Sequence, residues 1–129
     1  MLLDNQNLFC ENQEITTGEI YSQNIIYFGK NDVSFAPIVI QAVSDFSNLA
    51  SLTVKIQTSS DAEFSEAITL AESALTLENL KAGSTFPITF LPKGNKGYMR
   101  LLFVADGSET TGKITSGVVA GNGLSISEI

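Results

Sequence analysis

Apolar and polar residues alternate most clearly along Leu52-Thr53-Val54-Lys55-Ile56-Gln57. A two-residue period gives one apolar and one polar face, the pattern of a half-buried strand. The run stops at Thr58-Ser59-Ser60-Asp61, where short polar side chains bond to nearby backbone and favour a turn. Phe64 is then expected to return the chain to the core. Residues 25–29 are rich in β-branched and aromatic types and read as a strand. Residues 37–43 are almost continuously apolar, with Pro37 at the first position, and read as a strand covered on both faces. Residues 44–51 read as a polar loop with Phe46 and Leu49 tucked inward.

The pattern is less decided elsewhere. Ser60-Asp61-Ala62-Glu63 fits either a capping box with one helical turn or a plain turn. Between 67 and 80, two short strands at Ile68/Leu70 and Leu75/Leu77 compete with a helix over 72–81. Phe86, Ile88 and Phe90 share one strand face, and Pro87 and Pro92 make that strand an edge or a bent one. Residues 93–97 form a hairpin loop. Residues 98–105 are apolar on both faces, as in a central strand. Asp106-Gly107 reads as a turn and 113–120 as the last clear strand. The core is expected to contain Leu52, Val54, Ile56, Ile88, Phe90, Leu101 and Phe103.

The two chain ends are more polar. Leu8-Phe9 and Ile15 could anchor a short strand or an arm against the sheet. Residues 121–129 carry Leu124, Ile126 and Ile129, which could pair as a strand or reach a neighbouring subunit. About seven to nine short strands at fairly even spacing predict a β-sandwich or jelly roll. The expectation is one domain over 1–129, with 1–24 and 121–129 as candidate terminal arms.

Composition narrows the function classes. A chain of 129 residues that is 43% hydrophobic can bury about two-thirds of its extended surface in one core. Its single cysteine, Cys10, excludes an intrachain disulfide and reads as a small buried apolar residue. Histidine is absent, which removes the commonest general base and zinc ligand. Tryptophan is absent too, leaving Tyr21, Tyr27 and Tyr98 for stacking. A net charge of −7 gains nothing from a phosphate backbone, so nucleic-acid binding is not expected. The opening residues lack the basic and long apolar regions of a signal peptide. No run approaches the ~20 apolar residues of a membrane span.

Candidate chemistry is sparse. Asp61, Glu63, Glu66, Glu72 and Glu78 do not pair two carboxylates on one strand face, as a glycosidase needs. Asp32, Asp45, Asp61 and Asp106 lie in turn contexts without a calcium-loop spacing. Gly94-Asn95-Lys96-Gly97 is too short for a phosphate-binding loop. No enzymatic activity, cofactor or metal is expected. Arg100, the only arginine, lies within an otherwise apolar strand. A guanidinium there wants a carboxylate or carbonyls, found either within the chain or across a subunit interface.

Several segments, in order, resemble a family of capsid cement, or decoration, proteins of tailed bacteriophages. Leu8-Phe9-Cys10-Glu11-Asn12-Gln13-Glu14-Ile15-Thr16 is similar to the family's opening Leu-Phe-Ser-Asp-x-Gln-Ala-x-Thr. Ser22-Gln23-Asn24-Ile25-Ile26-Tyr27-Phe28-Gly29 is similar to Ser-Thr-Asn-Val-Ile-Asp-Leu-Gly. Residues 51–64 resemble its central strand and Gln-Thr-Ser-x-Asp-x-x-Phe turn. Leu80-Lys81-Ala82-Gly83, Tyr98-Met99-Arg100-Leu101 and Gly112-Lys113-Ile114-Thr115-Ser116-Gly117-Val118-Val119 resemble later elements. Cys10 replaces a usual Ser, and Tyr27 stands where Asp is common.

The resemblance implies an all-β, jelly-roll-like antiparallel sandwich on the outside of a virion, made in the bacterial host cytoplasm. Its implied partner is the major capsid protein, with self-association as a dimer or trimer. Contacts are expected from Leu3, Leu8 and Phe9 of the first arm, from Arg100, and from Leu124 and Ile126 of the tail. The alternative is a carbohydrate- or ligand-binding sandwich module on a phage or cell-surface particle. Three tyrosines on one flat face would favour that reading, and tyrosines scattered between core and edges would favour cement.

Overall fold

The computed structural model describes residues 3–30, 32–34 and 36–119, with backbone alone for 3–6. Eight strands follow in chain order: β1 (Leu3–Glu14), β2 (Gly18–Tyr21), β3 (Ile26–Tyr27), β4 (Ile38–Ala42), β5 (Ser47–Ser59), β6 (Ile68–Thr76), β7 (Tyr98–Thr111) and β8 (Lys113–Val119). They form two antiparallel sheets. The small sheet has the order β1-β8-β4, and the large sheet runs β2-β7-β5-β6, with β3 also on β7.

Residues 84–91 add an irregular fourth position beside β4. Ile38 N donates to Thr89 O (2.9 Å), Phe86 N to Ile40 O (2.9 Å) and Ala42 N to Ser84 O (2.8 Å). Isolated bridges join Pro37 to Phe90 and Gln41 to Thr85. With β2 and β3 counted as one broken run, the first, last, third and sixth runs share one sheet. The second, seventh, fourth and fifth share the other. This is the connectivity of a jelly roll.

The alternation that predicted β5 sets the core. Leu52, Val54 and Ile56 are completely buried, as are Leu101 and Phe103 opposite them. These join Phe9, Ile40, Phe86, Leu91 and Ile114 in one cluster between the sheets. Ile88 packs at its margin. Phe90 corrects the expectation: it is 53% exposed. The irregular backbone of 84–91 breaks the two-residue alternation, and Leu91 takes the inward place.

Other expectations are revised. Residues 3–21 do not extend as an arm; β1 pairs with β8 and β2 with β7. Cys10 and Ile15 are buried with Phe9. β5 begins at Ser47, so most of the predicted 44–51 loop is strand, although Phe46 and Leu49 are buried as expected. The 67–80 region is one strand, β6, followed by a 3-10 turn at Leu77–Asn79. Asp106-Gly107 does not turn the chain. β7 runs through it at a register shift against Leu49 and Ser51. A Cβ on Gly107 would collide with the Asn48 carbonyl and with Leu49, so the sheet closes here only around glycine.

Candidate functional site

β7 carries the site because its side chains alternate between the core and the outer face of the large sheet. Met99, Leu101, Phe103 and Ala105 point inward and are buried. Tyr98, Arg100, Leu102 and Val104 therefore face outward. Register places Tyr27 opposite Tyr98, Tyr21 opposite Leu102, and Gln57 opposite Arg100. All three tyrosines thus share one outer face, Tyr21 at 48% and Tyr27 at 66% exposure.

Arg100 is the centre of this face. Its guanidinium carbon lies 3.8 Å from the Tyr21 ring centroid and 4.1 Å from that of Phe64. Its Nε donates to Gln57 Oε1 at 2.9 Å. The cation is thus held between two aromatic faces, an attraction that strengthens as water is excluded. Its identified partners are an amide oxygen and two rings, and no carboxylate pairs with it among the described residues.

The turn after β5 positions Phe64. Ser59 Oγ and Ser65 Oγ each donate to the Asp61 carboxylate at 2.9 Å. These hydrogen bonds hold the Asp61 pKa below its ordinary value. Phe64 N donates to Asp61 O at 3.1 Å, closing the turn. Phe64 adopts a φ of 53°, an uncommon left-handed conformation for a bulky residue. Phe64 is buried, yet it lies outside the inter-sheet cluster. Phe64 is thus buried as the sequence predicts, but it packs over Arg100 and not within the inter-sheet cluster.

One end of this face is basic. Thr58 Oγ1 donates to Tyr98 O (2.8 Å) and accepts from Lys96 N (2.9 Å). Phe28 N donates to Gly97 O (2.7 Å), and Asn95 Nδ2 to Gly29 O (3.1 Å). These bonds stitch two loops together. Tyr27, Lys30, Lys96 and Tyr98 thereby border a depression of about 320 Å³. Lys30 also borders an adjoining hollow with Lys93 and Asp32, whose opposite charges partly offset each other. At the opposite end of the sandwich, Glu14, Asp45 and Lys113 border a third hollow.

The expected contact residues do not form one site. Phe9 is completely buried and offers no surface to a partner. Leu8 is partly exposed and pairs in register with Gly117; the alternation of β8 puts it on the outside of the small sheet. Arg100 lies on the opposite outer face. Leu3 is in β1, but its side chain lies outside the described residues, as do Leu124 and Ile126. Tyr21, Phe64 and Gln57 were not singled out as contacts. Their signal was the shared parity of Tyr98 and Arg100, hidden by the apolar residues on both faces of β7.

Cys10 is structural in this setting. Its Sγ donates to Ile114 O at 3.6 Å, and burial pushes its thiol pKa up to about 12. Among the described residues, no group of His, Cys, Asp or Glu could hold a metal ion. No helix among them is long and apolar enough to cross a membrane.

The family model Bbp16 matches residues 9–118. The chain belongs to the Bbp16 family. That family is phage-related. The match runs from Phe9 in β1 to Val118 in β8, so it spans both sheets and the whole Arg100 face. No curated protein matches the sequence.

Proposed function

We propose that the protein is a capsid cement protein, binding the outside of a phage head and joining neighbouring major capsid proteins. The observation that carries this reading is membership of a phage-related family by a jelly roll with a built aromatic–arginine face. Tyr and Arg are the residues most often found at the energetic centres of protein interfaces. Here they are fixed in place before binding, which lowers the ordering cost of association. No step in this function needs a catalytic group or a cofactor. The acidic remainder of the chain is suited to a surface in contact with protein and solvent. Synthesis in the host cytoplasm and self-association as a dimer or trimer belong to the same proposal.

The test is composition of the particle. Phage carrying this gene are purified by density gradient, and their proteins are quantified. The protein is expected in fixed ratio to the major capsid protein, and released without opening the head. Absence from purified particles overturns the reading.

One observation favours the carbohydrate-binding alternative: the three tyrosines do share a face. The geometry of their rings weighs against a sugar platform. One face of Tyr21 is occupied by Arg100. Tyr27 and Tyr98 have centroids 4.7 Å apart but are tilted by 43°, so they present no common plane. Saturable binding on a glycan array, lost on Tyr27→Ala, would restore the alternative.

A further inference from the structure

We infer that Arg100 is a preformed carboxylate receptor, and that the partner docking on this face is a protein segment bearing an Asp or Glu side chain. The inference rests on the cement reading for its setting and adds the contact face and the chemistry of what it grips.

A guanidinium has five N–H donors in a rigid fork. Only Nε has an identified acceptor, Gln57 Oε1. The stacked rings of Tyr21 and Phe64 cover the faces of the cation and leave its donor edge as the direction of recognition. A carboxylate matches that edge with two parallel hydrogen bonds. Stacking also fixes the side chain in advance, so little rotamer freedom remains to be lost on binding.

The surrounding chain is organised to hold this arrangement. Gln57 aligns Nε, and Asp61 with its two serine donors holds the turn that aims Phe64. A bulky aromatic in a left-handed backbone costs energy, and such strain persists where neighbouring structure enforces it. Thr58 ties the same strand to the Tyr98 carbonyl and the Lys96 amide. Gln57, Thr58, Ser59, Asp61 and Phe64 thus each contribute to one constellation.

Charge then selects the occupant. Lys30 and Lys96 border the depression beside Tyr27 and Tyr98 at the end of the same face. Lys55 also faces outward but lies opposite Glu72 of β6 as well as Leu102 of β7, and Glu19 lies opposite Val104, so the uncompensated cations among the described residues are at the Tyr27–Tyr98 end. On a chain of net charge −7, Arg100 with Lys30 and Lys96 suits an acidic segment whose apolar neighbours rest on the exposed tyrosines.

The single arginine makes the test clean. A ¹⁵N-labelled protein has one Arg Nε–Hε resonance, that of Arg100. The probes are a short peptide alternating Glu with Leu, the same peptide with Gln for Glu, inorganic phosphate, and a sulfated oligosaccharide. The Glu peptide should shift this resonance saturably, and the Gln peptide should not. Arg100→Lys keeps the charge but loses the fork, and should weaken Glu-peptide binding at least tenfold. Phe64→Asn keeps a residue that tolerates the left-handed backbone and removes the ring; it should weaken binding while Arg100 remains. Lys113→Gln, at the opposite end, should bind as wild type. Equal shifts with the Gln peptide, or unchanged affinity in Arg100→Lys, overturn the receptor. Stronger binding of phosphate or the sulfated sugar overturns the protein-segment occupant. In purified particles, full occupancy by Arg100→Glu overturns this face as the contact. Absence of the wild type from particles instead removes the cement reading, and the peptide titration still decides the receptor.

Discussion

Phe9 and Leu8 are adjacent in sequence and differ in environment. Phe9 is completely buried between the sheets, whereas Leu8 is partly exposed over Gly117. A Cβ on Gly117 would meet the Leu8 side chain, so the glycine makes room for Leu8 on the outside of the small sheet. Phe9→Ala should therefore cost about 3–5 kcal/mol, through lost burial and a cavity. Leu8→Ala should cost on the order of 1 kcal/mol. Urea unfolding of the two single variants measures both, and equal costs would contradict the packing of β1. The Leu8-Phe9 pair was legible as apolar anchors in a polar segment. Their opposite fates were not, because register shifts between Leu8 and Cys10 break the alternation from which side is read. Arg100 was legible as a cation needing partners. Its partners come from β2, β5 and the turn beyond β5, and nothing local to residue 100 names them.

At the level of elements, β5 and β4 were readable because each follows one simple pattern: strict alternation over residues 51–58 of β5, and burial of all but Gln41 in β4. Apolar residues on both faces mark β7 as central, but Asp106-Gly107 looks like a turn in isolation and hides the continuation of the strand to Thr111. The bulge against β5 is a tertiary feature that overrides local turn chemistry. The turn after β5 shows the reverse case. Its polar cluster predicted a turn, and the hydrogen bonds to Asp61 explain it. The sign of its pH effect follows. Those bonds depress the folded pKa of Asp61, so the stability they give is complete above the unfolded value of about 3.9. It is lost as pH falls through that value and through the lower folded one. Asp32, bonded to Ser34, is depressed in the same direction. Urea midpoints should fall on acidification below about pH 4. Asp61→Asn should start lower at pH 7 and fall less steeply, leaving the Asp32 share. A wild-type slope retained in Asp61→Asn would remove Asp61 from the account.

At the scale of the whole molecule, the jelly roll presents two outer faces with different chemistry. The large-sheet face carries the stacked arginine, three tyrosines and a basic end, on a chain that is acidic in total. Cement binding is a linkage effect: a protein that binds the assembled shell and not its separated subunits stabilises the shell by RT ln(1 + [L]/Kd) per site. Above Kd, each tenfold rise in free protein adds about 1.4 kcal/mol per site until the sites' binding no longer limits disassembly. Capsids stripped of this protein should therefore lose heat resistance and regain it on titration with purified protein. The regain should scale with the logarithm of free concentration. If the Arg100 face makes the contact, exposed Lys30 and Lys96 should steer the encounter, and the concentration needed should rise with salt as their charges are screened. Arg100→Lys should shift the titration to higher concentration at every salt, because the fork is lost while the charge remains. Light scattering during a thermal ramp follows both effects. Heat resistance that does not respond to added wild-type protein would place the function away from the shell.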